Sequence, residues 1–356
     1  MNITEATRAY DDWARQQIPF VARDLKLKHR LMAEAAFPFL RATFYRWMQI
    51  WPEACPKLAS APELLAVGDL HVENFGTWRD NEGRLVWGIN DFDEVYPLPY
   101  TIDLVRLATS ALLAIRAEAL SIDPDRACGA ILEGYLQSLE AGGHVYVLEE
   151  HHPTLRALAY AEERDPVRFW AKLVRAKTIQ PPSAIASRLV RDLPRGSREV
   201  RFVPRIAGLG SLGHSRYVAL ADCHGSWLAR EAKAGLPSAA AWAAKAPRPR
   251  ILSGELIARA VRAPDPFVTI EDGWLLRRIG PHCSRIELDD FPKRRDELRI
   301  LRAMGRETAN AHLASPDAIP AVRRDLKKRG GKWLRSASRT MADAMLAEWK
   351  DWRRAF

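Results

Sequence analysis

Apolar residues recur at helical spacing through residues 23–51, at Leu31, Ala35, Phe39, Leu40, Phe44 and Trp47. Pro38 is placed to kink or break that run. A second periodic stretch, 103–119, puts Leu104, Leu107, Ala108, Ala111, Leu112 and Ile115 on one side, with Asp103 as its N-terminal acid. A third covers 125–141 and stops at Gly142-Gly143. Between the first two, the short apolar run Leu85-Val86-Trp87-Gly88-Ile89 follows the turn Asn81-Glu82-Gly83 and predicts one arm of a β-hairpin. From Val200 the alternation becomes that of strands: 201–206, 214–220 and 227–233, then a hairpin of 267–270 and 274–279 around Asp272-Gly273. Helices return over 252–261 and 291–313, and a basic, tryptophan-bearing pair follows Gly330-Gly331. The expected class is α+β, with about five strands gathered in one antiparallel sheet.

The first hairpin joins two clusters of acids and amides within residues 68–93. GDLHVEN places Asp69 five residues before Asn74, and INDFDE delivers Asp91 and Asp93 directly after the apolar strand. Phosphoryl transfer from ATP needs such a set: one carboxylate to take or orient a hydroxyl proton, and an amide with a second carboxylate to hold Mg²⁺ against the phosphates. Asp91, first after the strand, is the main candidate ligand, while Asp93 and Glu94 are extra ligands or solvent-facing acids. The plain alternative is a polar hairpin whose Asp and Asn residues only make turns. Turn chemistry accounts for Asn81-Glu82-Gly83, but not for acids on both sides of it.

A second cluster lies in the strand-rich part. Gly208, Gly210, Ser211 and Gly213 form a GxGxxG-like turn at 208–213, flanked on both sides by strands. That context fits a glycine loop whose amides approach phosphates; a dinucleotide fingerprint would need a helix after the glycines. Alone, the pattern equally suits a glycine hairpin. The next strand reads Arg230-Glu231-Ala232-Lys233. Either Arg230 or Lys233 could clamp phosphates, and strand alternation sends them to opposite faces. Glu255 is the candidate helical partner for the lysine.

GDLHVEN followed by NDFDE resembles the catalytic and metal loops of the aminoglycoside phosphotransferase and choline kinase branch of the protein-kinase-like fold, whose usual forms are HGDLHxxN and IDFD or IDWE. By that resemblance Asp69 is the catalytic base, Asn74, Asp91 and Asp93 hold Mg²⁺, and Asp103 is a structural aspartate opening a helix. Val67 stands where those enzymes carry a histidine that supports the loop backbone. His71 remains, as a loop-packing or a catalytic residue. More closely, GDLHVENFG, INDFDE, DLVRLATS and GLGSLGHSRY resemble a bacterial family of uncharacterised proteins known as DUF2252, over about 37–312. Phe37-Pro38-Phe39-Leu40-Arg41 resembles that family's SPFAFLRG segment, which makes Arg41 an anion contact or a surface arginine.

The resemblance implies an ATP- and Mg²⁺-dependent phosphotransferase acting on a small hydroxyl- or amine-bearing molecule. A catalytically inactive nucleotide-binding regulatory module is the alternative, with nucleotidyl transfer as a further outcome of the same site. The order of parts is reversed relative to ordinary kinases, so a circular permutation is expected. Residues 1–185 would be a helical lobe carrying the loops at 68–93, 195–282 a β-rich nucleotide lobe carrying the loop at 208–213, and 283–356 helices completing the first lobe. Unrelated domains carrying the two loop clusters are the other account of that order.

Composition narrows the classes. A chain of 356 residues, 47% hydrophobic, can bury a large core and divide into two lobes. No run of ~18 apolar residues is present, and the first ten residues lack the basic start and apolar block of a signal peptide. Cys55, Cys128, Cys223 and Cys283 are scattered without a CxxC pair, and the nine histidines form no HExxH-type pair. Reduced thiols in a cytoplasm are expected. The net charge of +10 suits an anionic partner, yet the basic stretches 188–205 and 323–354 carry no nucleic-acid motif. Met341, Met345, Trp349 and Trp352 form a near-helical stripe. It docks on the chain's own core or, less simply, on a partner or a membrane surface.

Overall fold

Residues 1–149, 151–161, 164–288 and 296–356 are described by a computed structural model. Among them the chain is mixed α and β, with fifteen α-helices and ten strands paired antiparallel. The first helix, Ile3–Gln17, opens on a reciprocal cap in which Glu5 N donates to Asn2 Oδ1 and Asn2 N to Glu5 Oε2. The apolar run over 23–51 forms three helices, Ala22–Glu34, Ala36–Ala42 and Phe44–Ala54. The breaks fall at Ala35 and Thr43, both outside helical backbone angles, and not at Pro38. Pro38 lies in the first turn of its helix, where a missing N–H costs nothing because no carbonyl awaits it.

Four short strands follow: β1 (Glu63–Ala66), β2 (Phe75–Arg79), β3 (Leu85–Ile89) and β4 (Tyr96–Pro99). β2 pairs with β3 as an inner hairpin, and β1 pairs with β4 outside it. The segments 67–74 and 90–95 therefore lie side by side between two ladders, joined by a bond from Asn90 N to Asn74 O of 2.7 Å. β5 (Tyr146–Val147) extends the inner pair alongside β3.

Behind these loops runs the helix Thr101–Arg116, buried along nearly its whole length, with its buried polar side chains Asp103, Arg106 and Ser110 bonded to the first acid loop. The helices Pro124–Ala141 and Glu297–His312 cross so closely that a Cβ on Gly134 would stand 1.9 Å from Arg302 O, and one on Gly305 2.0 Å from Ile131 O. The expected start of the second at 291 lies outside the described residues. The last helix, Trp333–Ala355, buries Met341, Met345 and Trp352 against the interior. Its Trp349 and Trp352 indoles each donate to a carbonyl of the second helix, Ala33 O and His29 O, at 3.3 Å. The C-terminal stripe thus faces the chain's own core. No helix among the described residues is long and apolar enough to cross a membrane.

The strand-rich part forms a five-stranded sheet from β6 (Arg198–Pro204), β7 (Arg216–Cys223), β8 (Ser226–Ala234), β9 (Thr269–Glu271) and β10 (Trp274–Ile279), in the order β6-β7-β8-β10-β9. On one face Val203, Val218, Leu220, Ala229 and Ile279 pack against Leu173 of the helix Pro166–Val174. On the other, Ala219, Ala232 and Leu276 pack against Ile185 and Leu189 of the helix Ser183–Arg191.

Candidate active site

The loop after β1 is held by its backbone. Val67 N and Gly68 N donate to the two carboxylate oxygens of Asp103, at 2.7 and 2.8 Å. Asp103 sits in the first turn of a buried helix, so its charge is satisfied by these amides and by His312 Nε2 at 2.9 Å, which Tyr135 OH backs at 2.9 Å through Nδ1. Val67 brings no polar support of its own; a buried imidazole reaches the loop from the far end of the chain instead. Gly68 has φ +85°, and a Cβ there would stand 2.3 Å from Glu94 O, so glycine is what lets the two acid loops touch.

Asp69 is anchored on one oxygen and open on the other. Arg106 Nε donates to Asp69 Oδ1 at 2.7 Å, and the Arg106 guanidinium also forms an ion pair with that oxygen. Arg106 is fully buried, lies about 5 Å from the rings of Phe44 and Trp47 (5.0 and 4.9 Å), and donates Nη2 to Leu40 O at 2.7 Å. Asp69 Oδ2 faces the glycine turn, 3.6 Å from where a Gly210 Cβ would stand. Burial raises the Asp69 carboxyl above its ordinary pKa; Arg106 opposes the rise and Asp91 adds to it.

His71 and Asn74 close the same loop. His71 N donates to Asn74 Oδ1 at 2.8 Å, and Glu73 N donates to His71 Nδ1 at 3.2 Å. Burial, with Arg41, Arg285 and Arg106 nearby, holds the imidazole neutral by pushing its pKa well down. Arg41 is not a surface arginine: it is largely buried and ion-paired with Glu73.

In the second acid loop Asp91 Oδ1 accepts a long bond from Asp93 N, 3.4 Å, and Asp93 pairs directly with Lys233. Burial pushes Asp93 up, but the Lys233 ammonium, with Arg216 and Arg277 behind it, outweighs this and holds its pKa below the ordinary value. Glu94 is not a solvent-facing acid. Its Oε2 accepts from Ala239 N at 2.6 Å, at the start of the helix Ala239–Ala243, and burial together with Asp69 pushes its pKa up to about 8. Among the described residues no three His, Cys, Asp or Glu side chains converge as a metal cage. The oxygen donors at hand are the amide of Asn74 and the carboxylates of Asp91 and Asp93.

Alternation along β8 separates the two cation candidates. Lys233 faces the acid loops, whereas Arg230 points to the other face, with its guanidinium 4.2 Å from the Phe267 ring and Nε donating to Asp192 O at 3.1 Å. Glu255 does not meet Lys233. It sits at the start of the short helix Ser253–Arg259, where Arg250 reaches it at 2.9 Å, and the lysine takes Asp93 as its partner.

The glycine turn departs from the expected open cradle. Gly208 and Gly213 adopt φ +75° and +99°, but Ser211 N, Leu212 N and His214 N donate to Gly208 O, Leu209 O and Ser211 O within the turn itself. The turn folds onto the first acid loop and is held there by residues 20–28: Val21 N donates to Gly213 O at 2.8 Å, and Lys28 Nζ to Gly210 O at 3.0 Å. Two cavities result. One of about 980 Å³ is lined by Asp91, Asp93, Gly208, Arg216, Lys233 and Arg277; one of about 40 Å³ by Asp69, Asn74, Gly210 and Lys28, again with Asp91 and Asp93.

Several residues of this site have no role assigned by the resemblance, although Arg106 stands in DLVRLATS, Arg216 in GLGSLGHSRY and Glu231 between Arg230 and Lys233. Arg106 had a signal, since Asp103 and Arg106 are charges one turn apart on an otherwise apolar helix. Arg216, Glu231 and Arg277 come together only through strand register, and Lys28 reaches the glycine turn only through the crossing of a distant segment.

A family model described as an uncharacterized protein conserved in bacteria (DUF2252) matches residues 20–190. The match takes in both acid loops and the helix of Asp103 and Arg106, ends before the glycine turn, and supports the family assignment drawn from GDLHVENFG, INDFDE and DLVRLATS. No curated protein and no solved structure matches the chain.

Proposed function

We propose that this chain is an ATP- and Mg²⁺-dependent phosphotransferase with a kinase-like mechanism, acting on a small hydroxyl- or amine-bearing acceptor. The observation that carries the proposal is that Asp69, Asn74, Asp91, Asp93, Lys233 and the glycine turn line two cavities sharing Asp91 and Asp93. Asp69 presents Oδ2 as base while Arg106 fixes Oδ1, so the carboxylate is oriented before an acceptor arrives. Lys233 meets the donor's phosphates after exchanging Asp93 for them. Asn74, Asp91 and Asp93 offer hard oxygen donors, too few for a closed cage but suited to Mg²⁺, which completes its shell with water and phosphate oxygens. When bound, that ion would neutralise charge on the transferring phosphoryl group.

In this proposal the β6–β10 sheet is the nucleotide lobe of a circularly permuted kinase-like fold, with residues 1–185 and 283–356 as the helical lobe and 195–282 between them. The free thiols of all four cysteines suit a reducing cytoplasm. A nucleotide-binding module without turnover, or nucleotidyl transfer, is the second reading. It is favoured by one observation: the cavity at Asp69 is about 40 Å³, room for a water molecule but not an acceptor, until the glycine turn lifts. Incubating the protein with MgATP labelled on its γ-phosphate and a broad panel of alcohols and amines decides between them. Label moving to an acceptor supports the phosphotransferase, and nucleotide binding without any transfer supports the module.

A further inference from the structure

Glu231 lies at the centre of the sheet face toward the large cavity and is fully buried. Three arginines surround it, and they are not equivalent. Arg205 Nη1 donates to Oε1 and Arg277 Nε to Oε2, each at 2.7 Å, which satisfies the carboxylate. Arg216 Nη1 stays at 3.4 Å from Oε1, its Nη2 donates to Ser211 Oγ in the glycine turn, and its buried Nε meets no acceptor. Arg216 is only 7% exposed. A cation this deeply buried, with a donor left over, is costly unless an anion completes it. With Lys233 counted, four cations face Glu231, Asp91 and Asp93, so one positive charge is in excess before any divalent ion joins.

The far end of the same cavity is different. Beyond Lys233, whose register partner is Leu275, the lining includes Leu236, Ile251, Ile257 and Ile270 with Ser253. Arg262 and Asp265 also line the cavity, but Arg262 donates to Ile89 O at 3.3 Å and Asp265 is held by Phe267 N at 3.0 Å and by Arg278 at 3.7 Å. Such walls can sandwich a planar base but offer little to read its edges.

We propose that Arg216, with Arg277 and Lys233, is a polyphosphate-reading site arrayed by Glu231, so that the donor is selected by its di- or triphosphate and not by its base. This rests on the phosphotransferase reading for its role, but not for its chemistry: any linear polyphosphate of matching length would bind. Isothermal titration of the full chain in Mg²⁺ tests it, with inorganic tripolyphosphate, MgATP, MgGTP and adenosine as titrants.

Tripolyphosphate should bind and compete with MgATP, MgGTP should match MgATP within a few-fold, and adenosine should bind far more weakly. Arg216→Gln should weaken every phosphorylated titrant at least tenfold, while Arg116→Gln, a surface control, changes none. Where Arg216→Gln does not fold, Arg216→Lys, which keeps charge but loses the guanidinium fork, should show a smaller loss of the same sign. Tripolyphosphate failing to bind the parent, or binding a folded Arg216 variant as tightly as the parent, overturns the proposal. MgATP binding far more tightly than MgGTP overturns the selection by phosphate over base, and tripolyphosphate binding without either nucleotide leaves the polyphosphate site but removes the nucleotide reading.

Discussion

A carboxylate whose one oxygen is fixed by a buried guanidinium and whose other oxygen is open can act as a base only through the open one. Asp69→Asn keeps the shape and the Arg106 contact but cannot take a proton. It should leave MgATP binding nearly unchanged and lower transfer by roughly 10²–10⁴-fold in single-turnover kinetics, the usual share of a positioned base. Arg106→Met is a stability prediction: it strands Asp69 and the Leu40 carbonyl together. Urea unfolding should show a loss of about 3–5 kcal/mol, the range for breaking a buried pair from one side. Asp69, Asn74 and Asp91 were legible as residues, because loop chemistry fixes their spacing in the chain. Which side chain anchors Asp69 was not, since Arg106 acts from a helix whose position relative to the loop no local pattern encodes. Glu255 shows the same limit: a glutamate in a short helix was readable, but its nearest cation, Arg250, wins by proximity.

Among the elements, the five strands of the sheet followed from alternation and turn glycines, and the antiparallel pairing of β7 with β8 and of β9 with β10 from the tight turns between them. By contrast, β8 and β10 meet across a long connection that holds two helices. Pro38 was misleading because a proline marks either a break or a helix start, and here the break came three residues earlier, at Ala35. The glycine turn was readable as a turn, but its amides were expected to point outward, and three of them close the turn instead. The crossing of Pro124–Ala141 with Glu297–His312 was invisible in sequence, because the partners of Gly134 and Gly305 lie more than a hundred residues away. It yields a sharp test. Gly134→Ala or Gly305→Ala would push a methyl into a backbone carbonyl, so each should destabilise by several kcal/mol in thermal or urea melts, despite alanine's higher helix propensity. Gly129→Ala on the same first helix, which meets nothing, should be neutral or mildly stabilising.

At the scale of the whole molecule, the segment around residue 20, the glycine turn and β8 meet at His214, whose Nδ1 lies 3.2 Å from Ala234 O and whose ring stands edge-on to Phe20. Burial, with Lys233, Lys28 and Arg216 nearby, pushes its pKa well below the ordinary value, so the folded state keeps it neutral. The unfolded chain binds that proton below about pH 6.5, so stability should fall as the pH drops from there, by at most about 1.4 kcal/mol per pH unit for this group. His214→Gln should flatten part of that slope in melts between pH 7 and 5, and an unchanged slope would remove His214 from the acid sensitivity. The central claim is that the acid loops and the sheet together bind a magnesium nucleotide. It is tested most directly by the melting temperature of the full chain with and without millimolar MgATP, beside Asp91→Ala. A ligand that binds only the folded state stabilises it by mass action, about 2.7 kcal/mol at a hundredfold excess over Kd. The parent should therefore melt several degrees higher in MgATP, and Asp91→Ala, folded equally well without ligand, should not move. A parent melting temperature unchanged by millimolar MgATP would contradict the account.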